Sequence, residues 1–170
     1  MRRPITSTLM ALGFLAGGSL AAQTKAETLF GEIGPLHLRI VDANDAERAL
    51  GLSADSIKAH ALEALVAAGI PTFTEKQWIS ANRPPFLMLS FTAYGKPSDP
   101  RVVCNVRLEL QEYVSVWREE KWQMNQVLAV TWNAGRVCAA PPALVFFQIE
   151  RDVDSLIEEL VKAYREGRGL

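Results

Sequence analysis

Two cysteines and two histidines are the residues best suited to chemistry in this 170-residue sequence, and their spacing limits what they can do. Cys104 and Cys138 form no C-x-x-C pair, so a redox dithiol of the usual spacing is absent. A metal centre would need His37, His60, Cys104 and Cys138 to converge from separate elements, and neither histidine has another ligand-type residue at ligand spacing. Nucleophilic catalysis has no G-x-S-x-G turn to work from, and the glycines are too scattered to cradle a phosphate. The adjacent carboxylates Glu119-Glu120 and Glu158-Glu159 fall on an expected turn and on a solvated helix face. No catalytic residue, metal ligand or cofactor is therefore expected, and the cysteines are left to a structural role.

The start of the chain supplies a context for that role. Arg2 and Arg3 precede the apolar run Leu9 to Ala16, and small residues end the stretch at Ala21-Ala22. This is the pattern of a secretory signal peptide over residues 1–22, with cleavage as late as residue 26 also compatible, which predicts a periplasmic or secreted protein. Glycines 13, 17 and 18 interrupt the apolar core, which falls short of the ~20 residues a spanning helix needs, so no membrane span is expected after cleavage. Loss of the leader leaves 16 basic against 19 acidic residues, a net charge of −3. No basic cluster remains to neutralise phosphates, which argues against nucleic-acid binding. Residues 27–167 are of a size for one domain.

Periodicity supplies the elements. A weak strand candidate at 29–33 precedes a clear one at 36–41, where Leu38 and Ile40 alternate with His37 and Arg39. Ser53 is the expected N-cap of a helix whose stripe is Ile57, Ala61, Ala64, Leu65 and Ala68, with His60 on its flank. Gly69 and Pro71 stop it. A short strand at 70–74, a loop through Trp78 and a strand at 86–93 follow. Val102, Cys104, Val106, Leu108 and Leu110 then begin a long alternating strand with an expected bulge near Glu112. Residues 118–121 turn the chain into a returning strand at 122–133. From Pro142 onward Ile149, Val153, Leu156, Leu160 and Tyr164 share one side of a helix over 143–166. The order β-α-β-β-β-β-α predicts an α+β two-layer sandwich, with two helices on one face of a mixed, largely antiparallel sheet.

The hairpin register that gathers the most apolar surface pairs Leu108 with Trp132, Leu110 with Val130 and Val116 with Met124. It sets Cys104 opposite a position near Arg136, with Cys138 two residues further along the same face. In an exported chain that proximity favours a disulfide, closing a loop of 35 residues for roughly 4 kcal/mol; the alternative is two buried thiols acting as small apolar groups. The other face of the hairpin then presents Arg107, Glu109, Gln111 and Tyr113, with Trp117 and Trp122 flanking the tip. Polar groups of both signs beside amphipathic aromatics form a candidate partner surface; the plainer reading is an ordinary wet sheet face with tryptophans clamping the turn.

The run GLSADSIKAHALEALVAAGIP, the segments PFLMLSF, VRLELQEYVSVWR and AVTWN, and the amphipathic C-terminal helix together resemble a group of uncharacterised exported bacterial α/β proteins. In outline the chain is also similar to small periplasmic envelope domains such as the N-terminal domain of the Tol-Pal translocation protein. These resemblances imply a fold and a compartment, and bring no active-site residues. The expected function is that of an exported, non-enzymatic domain that binds an envelope protein or itself; the alternative is a small-molecule binder or hydrolase with a pocket between helices and sheet near His37 and His60.

Overall fold

A computed structural model describes residues 34–82, 84–118 and 123–168, with the side chains of 115–126 and 167–168 outside the description. The leader, its later exit and the strand candidate at 29–33 lie outside the described residues.

Strand β1 (Leu36–Ile40) buries Leu36 and Leu38 on one face of the sheet and sends His37 to the other. A short helix that the sequence pattern did not signal, α1 (Asp45–Ala49), follows. Its capping box is reciprocal: Asn44 Oδ1 accepts from the Glu47 amide at 3.0 Å, and Glu47 Oε2 accepts from the Asn44 amide at 2.7 Å. The other oxygen of the buried Glu47 accepts from the Ala93 amide at 3.3 Å, which ties α1 to the sheet. Helix α2 (Ala54–Ala67) has the expected Ser53 cap. It ends as expected too: Gly69 takes φ +78°, and the Ile70 amide folds back onto the Leu65 carbonyl at 3.0 Å.

Strand β2 (Thr72–Phe73) is shorter than the alternation suggested, because the segment past it winds into helix α3 (Glu75–Ser80). Thr74 and Gln77 form a second capping box there, a signal present in the expected loop but not read from it. Strands β3 (Phe86–Tyr94), β4 (Val102–Arg118) and β5 (Gln123–Ala140) form the meander. Gly95, at φ +147°, opens the turn from β3 to β4, where an added Cβ would meet Val102 at 3.1 Å. A 3-10 turn at Pro142–Leu144 leads into helix α4 (Val145–Arg168). At 1.5 Å per residue its 24 residues reach about 36 Å, enough to cross the sheet.

The sheet order is β2-β1-β3-β4-β5, parallel across the first three strands and antiparallel across the last three. This is the expected α+β sandwich with a mixed sheet. Helices α2 and α4 cover one face, where Ile57, Ala61 and Leu65 meet Ile149, Val153, Leu156 and Leu160 over the inward side chains of β1, β3 and β4. Helix α3 departs from the expected layering, because it lies on the opposite face. There Trp78 stacks on His37 at 5.2 Å and meets the edge of Phe86 at 5.5 Å, plugging one corner of a surface that no other described helix covers. Among the described residues no helix is long and apolar enough to cross a membrane.

The hairpin register differs from the expected one by two residues. Leu108 pairs with Ala134, Leu110 with Trp132, and Cys104 directly with Cys138. A slip of two leaves each side chain on its own face, so hydrophobic alternation alone cannot detect it. The expected bulge beside Glu112 is present, with its extra residue on the partner strand. Leu110 pairs with Trp132 and Gln111 with Val130, leaving Thr131 of β5 as the extra residue. The Thr131 hydroxyl donates to the Leu110 carbonyl at 3.4 Å. Beyond this point the register shift is one residue, so Val116 faces Asn125 and Trp117 faces Met124.

Candidate interaction face

The expected partner surface lies on the outer face of β4 and β5. Arg107 Nε sits 2.8 Å from Glu109 Oε1, while Gln111 Nε2 donates to Glu109 Oε2 at 2.8 Å. Both oxygens of Glu109 are thus occupied from its own strand. A partly exposed ion pair of this kind contributes about 0–1 kcal/mol to stability, and its satisfied groups offer a partner orientation more than affinity. Gly135 and Asn133 stand opposite Arg107 and Glu109, so the row is flanked by small or polar groups.

Apolar exposure flanks that row, with Val103 and Val137 beyond its Arg107 end and a second group beyond Gln111. The bulge at Thr131 turns Val130 and Leu128 outward, opposite Gln111 and Tyr113. Tyr113, Leu128 and Val130 are 44%, 48% and 46% exposed, and Val130, expected inside against Leu110, is thereby corrected to the surface. Leu128 belongs to the same face, carried outward by the extra residue at Thr131. Covering each of the three would contribute about 1 kcal/mol at ~25 cal/mol per Å². Trp117 lies in register on β4, but its side chain and the whole of Trp122 fall outside the described residues.

The same strand is an edge. β3 accompanies β4 only as far as the Phe86–Gln111 pair, so Glu112–Arg118 and Gln123–Ala129 project as a two-stranded arm, about 23 Å long at ~3.3 Å per residue. Among the described residues, strand β5 has β4 as its one neighbour along its 18 residues. Exposed edges are commonly blunted by proline, lysine or inward charges. Strand β5 contains no proline or lysine, and its single charged residue, Arg136, turns toward α4, where its guanidinium pairs with Glu159 and lies 3.4 Å from the Ser155 hydroxyl.

Glu112 sits on the opposite face of the arm's root. Burial pushes its carboxyl above the ordinary range, and a hydrogen bond to Thr131 opposes this in part. The folded chain then holds the proton more tightly than the unfolded one. Stability from this group is full below the ordinary carboxylate range and is lost as pH rises through the elevated folded value. Glu112→Gln is expected to raise stability at pH 7 by a few tenths of a kcal/mol, allowing for the screening of a half-exposed group, with no gain at about pH 3. Thermal melts of both proteins at the two pH values check this; equal gains at both would remove the electrostatic explanation.

His37 and His60 do not share a pocket. His37 is buried on the outer face, its Nδ1 3.1 Å from the Phe73 carbonyl oxygen. His60 projects from α2 on the helical side, with Nε2 2.8 Å from Asp154 Oδ1 and Nδ1 3.9 Å from Glu150 Oε1 of α4. Both ring nitrogens of His60 face carboxylates, which makes it a clamp between two helices and leaves neither nitrogen turned to a nucleophile. Next to it, a groove of about 640 Å³ runs between α2 and α4 toward their C-terminal ends, with Ala64, Ala68, Ile157 and Val161 along it. It lies between helices, not between helices and sheet as the alternative reading expects. Cys104 and Cys138 are bonded across β4 and β5 with their Cα atoms 5.0 Å apart, so the expected disulfide is present.

No known family profile matches the chain, and no curated protein matches it. Similar solved structures include the dodecamer of a PelC point variant from Paraburkholderia phytofirmans, at 17% identity and a TM-score of 0.44, over 77% of this chain and 89% of that one. A second PelC dodecamer from the same organism gives 18% identity and a TM-score of 0.44, over 76% and 88%. Likeness at this level carries no argument about the present chain.

Proposed function

We propose that this protein is an exported, non-enzymatic binding module that recruits a protein partner of the cell envelope along its β5 edge and the adjoining outer face. The leader-like first 22 residues and the cross-strand disulfide support the exported compartment. The observation that carries the binding role is the unblunted edge: an 18-residue strand whose one charge is drawn away, bordered by Tyr113, Leu128 and Val130. A strand added to such an edge gains main-chain hydrogen bonds, while side-chain contacts on the neighbouring face select which strand is accepted. The Arg107–Glu109–Gln111 row, already internally satisfied, sets orientation and rejects mismatched charges.

A photo-crosslinking amino acid placed at Leu128 in cells is expected to trap one discrete protein species, whereas the same group at the exposed Glu63 of α2 traps none. Leu128→Asp combined with Val130→Lys is expected to weaken purified-partner binding at least tenfold while moving the melting temperature by less than about 2 °C, since both residues are surface-exposed. Equal trapping at positions 63 and 128, or unchanged binding by the double variant, would sink the proposal.

A further inference from the structure

Among the described residues, Asp152 Oδ2 is a buried side-chain oxygen without a hydrogen-bond partner. Asp152 lies in the second turn of α4 at 9% exposure, its Oδ1 accepting from Gln148 Nε2 at 3.0 Å. A buried acceptor left unpaired costs about 1–3 kcal/mol, more when it is charged, so the position calls for an explanation. Its surroundings supply one. One carboxylate oxygen of Asp152 and the sulfurs of Cys104 and Cys138 all lie within 4.8 Å of one another. In the disulfide state neither sulfur carries a proton to donate to that oxygen.

We propose that the reduced form of this pair, together with Asp152, is a binding site for a zinc-class divalent cation. A dithiol reductant is oxidised to its cyclic disulfide while the Cys104–Cys138 bond takes up two electrons and two protons to give two thiols. The cation then displaces both thiol protons to solvent, bonding to two thiolates and the Asp152 carboxylate, with a water in the fourth position. Two thiolates and a carboxylate suit a borderline-soft, tetrahedral ion. With metal–sulfur bonds of ~2.3 Å the tetrahedral edge is about 3.8 Å, inside the 4.8 Å spread of the three donors once the sulfurs separate. Entry is one-sided: Cys104 is fully buried, while Cys138 is only partly so and admits reductant and ion. The sequence held no sign of this site, since its donors come from two strands and a helix joined only by the register and by the packing of α4.

The test uses the mature chain reduced with dithiothreitol, desalted without oxygen and titrated with Co²⁺. One equivalent is expected to produce thiolate-to-cobalt charge-transfer absorption that Zn²⁺ abolishes, with no such absorption from the oxidised protein. Asp152→Asn, isosteric and shown by circular dichroism to fold in the oxidised state, is expected to bind Co²⁺ at least tenfold more weakly. Where reduction alone unfolds the chain, one equivalent of Zn²⁺ is expected to restore the native spectrum. Absence of the charge-transfer band, failure of Zn²⁺ to restore an unfolded reduced chain, or Asp152→Asn binding within twofold of the parent would each overturn the site.

Discussion

Trp78→Ala is expected to lower the free energy of unfolding by about 3–5 kcal/mol, the range for deleting a buried indole. The side chain is 6% exposed although it lies on the face of the sheet opposite the two large helices. It stacks on His37, meets Phe86 edge-on, and donates from Nε1 to the Pro84 carbonyl at 2.7 Å. The Arg39 guanidinium lies 6.0 Å from its ring centroid. Removal opens a cavity against two aromatic rings and leaves the Pro84 carbonyl short of a donor. Trp78→Phe, which keeps most of the contact and loses the donor, should cost about 1–2 kcal/mol. Urea unfolding of both variants measures the difference. A loss under about 1 kcal/mol for the alanine variant would mean that α3 is an ornament on the sheet and not part of its core.

Replacing both cysteines by alanine should remove about 4 kcal/mol, through the unfolded chain more than the folded one. The bond joins residues 34 apart, so its absence returns the conformational freedom of a long loop to the denatured ensemble. Cys104 contributes a second, smaller loss because its sulfur is fully buried in the main core. Equilibrium unfolding should place the double variant and the metal-free, reduced parent close together. A loss below about 1.5 kcal/mol in both would show that β4 and β5 stay associated in the denatured state, which would leave the bond little entropy to remove.

The sequence reveals those parts of the fold whose causes are local. The stop at Gly69-Ile70-Pro71 is legible because a left-handed residue followed by a residue that cannot continue a helix has few other meanings, and Gly69 does adopt φ +78°. The long C-terminal helix is legible because the twelve residues from Ile149 to Leu160 keep a 3.6 period, despite the strand-like run before them. The sheet-facing residues Val102 to Leu110 follow from simple alternation and are buried as expected. Long-range register is a different matter. The pattern repeats every two residues, so pairing Leu108 with Trp132 or with Ala134 gives the same faces, and the choice rests on the turn and on the single extra residue at Thr131. For this reason alternation puts Cys104 and Cys138 near one another without setting them opposite, and, taking no account of the extra residue, it turns Val130 inward. The burial of Asp152 has no local cause: a lone acidic residue in an amphipathic helix reads as solvated until the helix is laid upon the strands.

The surplus residue at Thr131 also constrains how this hairpin can vary over evolutionary time. Outward positions on β5 are odd-numbered from Asn133 to Ala139 and even-numbered at Leu128 and Val130. One codon lost at the root would remove the bulge and restore a regular ladder, with Val130 still opposite Gln111 and Leu128 still opposite Tyr113. At the tip, matched gains or losses on both strands leave the root untouched. Descendants of this gene should therefore tolerate one unmatched loss at the root, where the surplus residue absorbs it, while changes at the far end must arrive in couples.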